Sequence, residues 1–381
     1  MEHEKIHVVR GRLVMADRVE SGRVVIQGDR ILAIESDDAA AGGPFVSPGL
    51  VDIHVHGWGG HDATGGVMAL AGMAAALVKR GVTSFLPTAA TASIGTLQAF
   101  AADVRSFMDH GPADGAEACG FNLEGPFLSR RKPGAQDLRF ICAPSDVPVA
   151  ELEPLLDGLR LTTVAPEEPG SLDLIAWLRR HGVVVSLGHS LATAREALAG
   201  YAAGARSTTH LFNGMSGIDH HSPGLATAAL TSADAYVELI ADGYHVDRAV
   251  WPLVLRLKQD DRLILVTDAI FLAGTGRQSG MFGDREVRVD DERCTLAGTS
   301  TLCGSVIGLD MAVRNLVRSG VDLPRAVLAA STNPCSLLGL ADRGSLAPGL
   351  RADLVEFDDA ISVLRVMRGG RWVVRQRRSG G

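Results

Sequence analysis

The chain has 381 residues, 46% of them hydrophobic, enough to bury one large core and a smaller accessory domain. A formal net charge of −7 leaves no basic footprint for nucleic acid or for an anionic membrane surface, so an anionic substrate has to be met by local basic groups. The charged opening MEHEKIHVVRG lacks an apolar signal core and the longest apolar stretch, residues 67–78, is too short to span a bilayer, which predicts a soluble, cytoplasmic protein.

From residue 1 to about residue 45 the sequence alternates as strands do, in VVRGRLVM and GRVVIQGDRILAIES, with Gly and Asp at the turns. The same texture returns at the far end in RADLVEFD and SVLRVMRGGRWVVRQ. The two ends are therefore predicted to form one small discontinuous β-sandwich domain, residues 1–47 and 341–381, with a larger domain, residues 48–340, between them.

In that larger domain short apolar runs alternate with helical patterns, the signature of parallel βα units. Strands are predicted at 50–56, 82–88, 118–124, 161–166, 183–189, 206–212, 236–242 and 262–268. VMALAGMAAALVKRG and SLATAREALAGYAAG read as helices, the second with Ser190 as its N-cap. Eight strands with helical crossovers predict a fold of the α/β class, a (β/α)8 TIM barrel. After the eighth strand MFGDREVRVDDERCTLAG is predicted to be a hairpin insertion, followed by a helix over about 305–318. The five cysteines, Cys119, Cys142, Cys294, Cys303 and Cys335, are scattered without a CxxC pair and read as small core residues of a reducing compartment.

A TIM barrel keeps its active site at the C-terminal ends of its strands. Those ends carry His54 and His56, then Glu124, His189, His210, Asp242 and Asp268, whereas the second and fourth strands end in proline. A single histidine there is more often a hydrogen-bonded structural residue. Several imidazoles and carboxylates converging from different strands suit Zn2+ or a similar divalent ion with one position left for water. The set predicts a hydrolytic metal centre. A GxSxG elbow, a GxGxxG turn in βαβ context and a Walker A motif are all missing, which disfavours a serine hydrolase or a nucleotide site.

The motifs PGLVDIHVHG (48–57), LEGPFLSRRKPGA (123–135), LGHS (187–190), THLFNGM (209–215), DGYHVD (242–247) and VTDA (266–269) follow one another in order. With them the chain resembles, over essentially its whole length, the N-acetylglucosamine-6-phosphate deacetylase family of the amidohydrolase superfamily. The resemblance implies that Glu124, His189 and His210 hold the principal metal and that Asp268 is the catalytic acid/base. It also implies a second metal on His54 and His56 in some relatives, so that one or two Zn2+ ions are expected per subunit. Asn213, the backbone at Gly214 and His245 are implied to contact substrate, and a homodimer is implied. The activity implied is metal-dependent hydrolysis of the acetamide of an N-acetylhexosamine 6-phosphate, N-acetylglucosamine 6-phosphate first among them, with an amino sugar as the small-molecule partner. None of the four lysines, Lys5, Lys79, Lys132 and Lys258, ends a predicted barrel strand, which argues against the carboxylated-lysine bridge of other amidohydrolases.

Two positions depart from the family pattern. Where Gly-x-His is usual after LEGPF, this chain has Gly134, Ala135 and Gln136, whose amide donates a hydrogen bond but takes no positive charge. Where an arginine commonly precedes Pro-Gly, it has His221, a weaker phosphate partner than a guanidinium. Arg130, Arg131 and Lys132 offer cations nearby, in a run that otherwise reads as a solvated loop. Both changes fall on the substrate end. Deacetylation of an unphosphorylated or differently modified N-acetyl sugar, or of an N-acyl amino acid, is therefore the alternative, with a catalytically inactive amidohydrolase-fold scaffold a remote one.

Overall fold

The computed structural model describes residues 6–375. The outermost parts of the predicted small domain, residues 1–5 and 376–381, lie outside the described residues.

Eight parallel strands make the barrel: β1 (Leu50–Val55), β2 (Val82–Ala90), β3 (Phe121–Glu124), β4 (Leu159–Val164), β5 (Val184–Leu187), β6 (Ser207–Thr208), β7 (Tyr236–Ile240) and β8 (Leu263–Val266). They pair in sequence order. The ring closes just past β8, where Val55 bridges Ala269 and the Asp268 N–H donates to the His54 carbonyl at 2.8 Å. Runs such as YVELI and LILV are buried at every residue, as expected of parallel strands covered by helices outside and by one another's side chains inside.

The strand expectations hold in number and order, with local differences. β2 does not stop at Pro87 but runs through it to Ala90, and its pairing with β1 slips register beside that proline, which has no N–H for the ladder. β6 is only two residues long, because the chain turns away at His210.

The helix Ala194–Ala203 is capped by Thr193 rather than by Ser190. Thr193 Oγ1 accepts the Glu196 N–H at 3.3 Å while the Glu196 carboxylate takes the Thr193 N–H at 2.8 Å, a reciprocal pair that Ser190 is too far upstream to make. The Ser190 hydroxyl instead donates to Glu167. The helix expected from about residue 305 starts at Leu309, since Ser305 is held as a strand-like bridge to Ala269 and donates its hydroxyl to the Thr267 carbonyl at 2.6 Å. The expected hairpin insertion is a three-stranded antiparallel meander, Ser279–Phe282, Arg285–Asp290 and Arg293–Leu296, whose Val287, Cys294 and Leu296 share a buried cluster with Ile270, Leu272 and Cys303.

Both ends of the described chain enter one seven-stranded sheet. Its seam is Phe45–Pro48, parallel to Ile6–Val14 on one side and antiparallel to Leu354–Phe357 on the other. Val9, Leu13, Val24 and Ile31 from the N-terminal half share a buried cluster with Leu354 and Met367 from the C-terminal half, which is the small β-sandwich beside the barrel. Gly11 is required where these strands crowd, as a Cβ there would lie 2.4 Å from the Pro44 carbonyl oxygen. Among the described residues no helix is long and apolar enough to cross a membrane, and all five cysteines are free.

Candidate metal centre

His54 lies in β1 and His56 just past it, and Glu124 is the last residue of β3. His189, His210 and Asp268 each stand two residues beyond the end of a strand, β5, β6 and β8. All three have left-handed backbone, with φ of 44°, 26° and 48°. For residues with a Cβ that conformation costs about 1–2 kcal/mol each. The turn it makes swings each side chain over the barrel mouth, and strain of this kind gathers at functional sites.

The side chains meet around Glu124. Its Oε1 lies 2.7 Å from His210 Nε2 and 3.0 Å from His189 Nε2, and those two nitrogens are 3.2 Å apart. On the other side, His56 Nε2 is 3.2 Å from both Glu124 Oε2 and Asp268 Oδ1. His54 Nε2 faces Glu124 Oε1 at 3.7 Å and Asp268 Oδ1 at 3.5 Å. Two groups result, Glu124–His189–His210 and His54–His56–Glu124–Asp268, the donor atoms within each lying inside 4.8 Å of one another.

These donors fit divalent cations. His189 Nδ1 is engaged by the Lys132 carbonyl at 2.9 Å, so a neutral ring presents a lone pair at Nε2, directed at Glu124 and His210 rather than at a proton donor. His54 Nε2 is buried without any hydrogen-bond partner. The electrostatics agree. Burial alone would raise a carboxyl, yet His189 and His54 hold Glu124 well below the carboxylate range. Burial alone would lower an imidazole, yet Asp268 and Glu124 lift His56 to about 9, and Glu124 lifts His54 well above its usual value. Such a site is arranged for positive charge at its centre.

A cavity of about 260 Å³ opens over this cluster. Gln136, Asn213, Gly214 and His245 line it. The Gln136 amide is engaged at both ends: Nε2 donates to Glu124 Oε2 at 2.5 Å and Oε1 accepts the Thr91 N–H at 2.7 Å. Asn213 Nδ2 donates to the carbonyls of His210 and Leu211. Gly214 has φ 58°, and a Cβ there would lie 2.9 Å from His189 Nδ1. Asp242, at the end of β7, stands apart from the metal donors; it accepts two backbone N–H groups at 2.8 Å and holds His245 Nδ1 at 2.6 Å.

His221 is not brought to the cavity. It is exposed, its backbone N–H donates to Asp219 and its ring stacks on His220 at 3.9 Å. Nor do the nearby cations reach it: Arg130 staples its own loop through the carbonyls of Leu138 and Ile141, and Lys132 contributes its carbonyl to His189. Among the described residues the lining holds no Arg or Lys.

Other lining groups escaped sequence reasoning. Phe282 comes from the insertion and residues 300–304 from the segment just after it, which border the mouth with no local signal to say so. Glu238, fully buried below the cluster and 3.1 Å from His54 Nδ1, did carry a signal, as the one acidic residue within the apolar run YVELI.

The profile of the amidohydrolase family matches residues 45–373. The chain is 33% identical over 372 residues to the N-acetylgalactosamine-6-phosphate deacetylase of Escherichia coli O157:H7, covering 94% of this chain and 97% of that protein. It is 34% identical to the N-acetylglucosamine-6-phosphate deacetylase of Vibrio furnissii, covering 96% and 93%. The crystal structure of N-acetylglucosamine-6-phosphate deacetylase from Thermotoga maritima superposes with a TM-score of 0.91 at 32% identity, covering 97% of this chain and 100% of that one.

Proposed function

Because this chain belongs to the N-acetylglucosamine-6-phosphate deacetylase family of amidohydrolases, we propose that it hydrolyses the acetamide of an N-acetylhexosamine 6-phosphate, first of all N-acetylglucosamine 6-phosphate, to acetate and the amino sugar phosphate. The observation that carries this reading is Asp268 beside His56 Nε2 at 3.2 Å, across Glu124 from His189 and His210, at the floor of an open cavity.

In this reading Glu124, His189 and His210 hold the principal ion, for which nitrogen and oxygen donors favour Zn2+, and His54 and His56 serve a second. A bound ion polarises the amide carbonyl and brings the pKa of a water toward neutrality. Asp268 starts as the base, its carboxyl held below its usual range by His56 and His54 against the effect of burial. It accepts a proton from the attacking water as the oxygen adds to the carbonyl carbon, then returns that proton to the nitrogen as the C–N bond breaks. Gln136 steadies Glu124, while Asn213, the Gly214 backbone and His245 border the sugar.

His221 is exposed, so it serves substrate only across a subunit boundary, which fits a homodimer. Five free cysteines suit the cytoplasm. A division into residues 1–47, 48–340 and 341–381 is supported by the seven-stranded sheet that draws on both ends and by the barrel sheet between them.

One observation favours the second reading, an unphosphorylated N-acetyl sugar or N-acyl amino acid: the cavity lining, among the described residues, has no Arg or Lys. The deciding experiment compares kcat/KM for acetate release by zinc-loaded enzyme on N-acetylglucosamine 6-phosphate, its galacto epimer and unphosphorylated N-acetylglucosamine. A preference for phosphorylated sugars of about 100-fold or more, near 3 kcal/mol of transition-state binding, is expected. Equal values overturn the phosphate assignment, and no release from any of the three overturns the sugar assignment.

A further inference from the structure

Glu238 lies in the middle of β7 and is fully buried. Its Oε2 accepts from His54 Nδ1 at 3.1 Å and from the His210 backbone N–H at 3.2 Å, and its Oε1 has no partner. Among the described residues its only ionisable partner within salt-bridge distance is His54. Removing a carboxylate from water costs several kcal/mol even after relaxation, and one amide and one imidazole N–H offset only part of that. Stability does not explain this residue.

Its hydrogen bond does. A neutral imidazole has one N–H, and donating it from Nδ1 leaves the lone pair on Nε2. His54 Nε2, like His210 Nδ1 a buried imidazole nitrogen without a hydrogen-bond partner, faces Glu124 and Asp268 at 3.7 and 3.5 Å. His56 and His189 are also pinned through Nδ1, but by backbone carbonyls, those of Thr88 at 3.1 Å and Lys132 at 2.9 Å. Of the four histidines in the two donor groups only His54 is backed through Nδ1 by a carboxylate, the arrangement that both orients a ligating imidazole and raises its basicity. The same oxygen fixes the backbone of His210, so one buried group reaches a donor segment on either side of Glu124.

We propose that Glu238 is a positioning residue that sets His54 Nε2 as a cation donor and thereby tunes the affinity of the ion held on the His54, His56 and Asp268 side. This rests on the reading of the cluster as a metal centre but not on the identity of the substrate.

The test is Zn2+ titration of the metal-free full chain by chelator competition, with Co2+ absorption as a probe of ligand geometry. Glu238→Gln is expected to bind one equivalent as wild type does and the other about 10- to 100-fold more weakly, with an altered Co2+ spectrum. Added to His54→Ala, it is expected to cause no further loss, because its effect passes through His54. A wild-type isotherm for Glu238→Gln overturns the proposal. So does an undiminished loss in the His54→Ala background, which marks a purely structural role. Should the amide variant not fold, Glu238→Asp withdraws the oxygen by one methylene and is read against the same two outcomes. Failure of the deacetylase reading shows separately, as absent acetate release by wild type.

Discussion

Gln136 and Glu124 are joined by an amide-to-carboxylate hydrogen bond of 2.5 Å, and the far end of the same amide is anchored on the Thr91 N–H. The residue that replaces the family's usual histidine is thus aimed at the carboxylate shared by both donor groups. A charge-assisted bond in a buried site is a strong one. Gln136→Ala is expected to lower kcat by roughly 10- to 100-fold and to speed zinc loss on dialysis, with a smaller change in KM. A variant altered in KM alone would assign Gln136 to substrate binding instead.

Asp268→Asn keeps the shape of the side chain and removes its ability to take a proton. Turnover is expected to fall by about 10²- to 10⁴-fold while zinc content, measured by elemental analysis, stays at the wild-type level. Near-normal activity would remove Asp268 from the proton-transfer role.

Gly214→Ala tests how closely the backbone packs on a donor. The left-handed conformation adds about 1–2 kcal/mol of strain for alanine. The new Cβ would press on His189 Nδ1 from 2.9 Å and disturb its bond to the Lys132 carbonyl. A lower Tm together with weaker zinc binding is expected. Unchanged zinc affinity would show that the loop yields without moving the imidazole.

Lys258 is buried at the end of the helix Trp251–Leu257, donating to the carbonyls of Ala229 and Ser232. Burial, assisted by Arg262, lowers its pKa to about 8. The unfolded chain, near 10.4, binds more protons between these values, so stability rises as pH goes from about 8 to 10.4, by no more than about 3 kcal/mol. Lys258→Met lacks this contribution. The wild-type Tm is therefore expected to gain on that of the variant between pH 7.5 and 10, and a constant difference across that range would contradict the lowered pKa.

The barrel was legible because most of its parallel strands are apolar runs ended by a residue that does not belong in a core, as in VVVSLGH and RLILVTD. His189, His210 and Asp268 announced themselves by position, though not the left-handed turn that brings them together. Glu238 was harder: it lies inside a strand, and which face of a strand looks into the barrel depends on a register that sequence alternation does not reveal when both faces are buried. His221 shows the opposite limit. Counting along the chain aligned it with a phosphate ligand, but its loop carries it to the surface. Phe282 and residues 300–304 reach the cavity by long-range folding of an insertion and the segment after it, which no local pattern encodes.

The seam strand Phe45–Pro48 has one neighbour made before it and the other, Leu354–Phe357, made about 300 residues later. At ribosomal rates of about 5–20 residues per second, that edge waits roughly 15–60 s for its partner, longer than a barrel strand waits for its neighbour. An unpaired strand edge is a template for wrong pairing. The β-sandwich therefore works as a clasp that shuts last, and a chain interrupted anywhere before residue 354 leaves the ribosome with that clasp open.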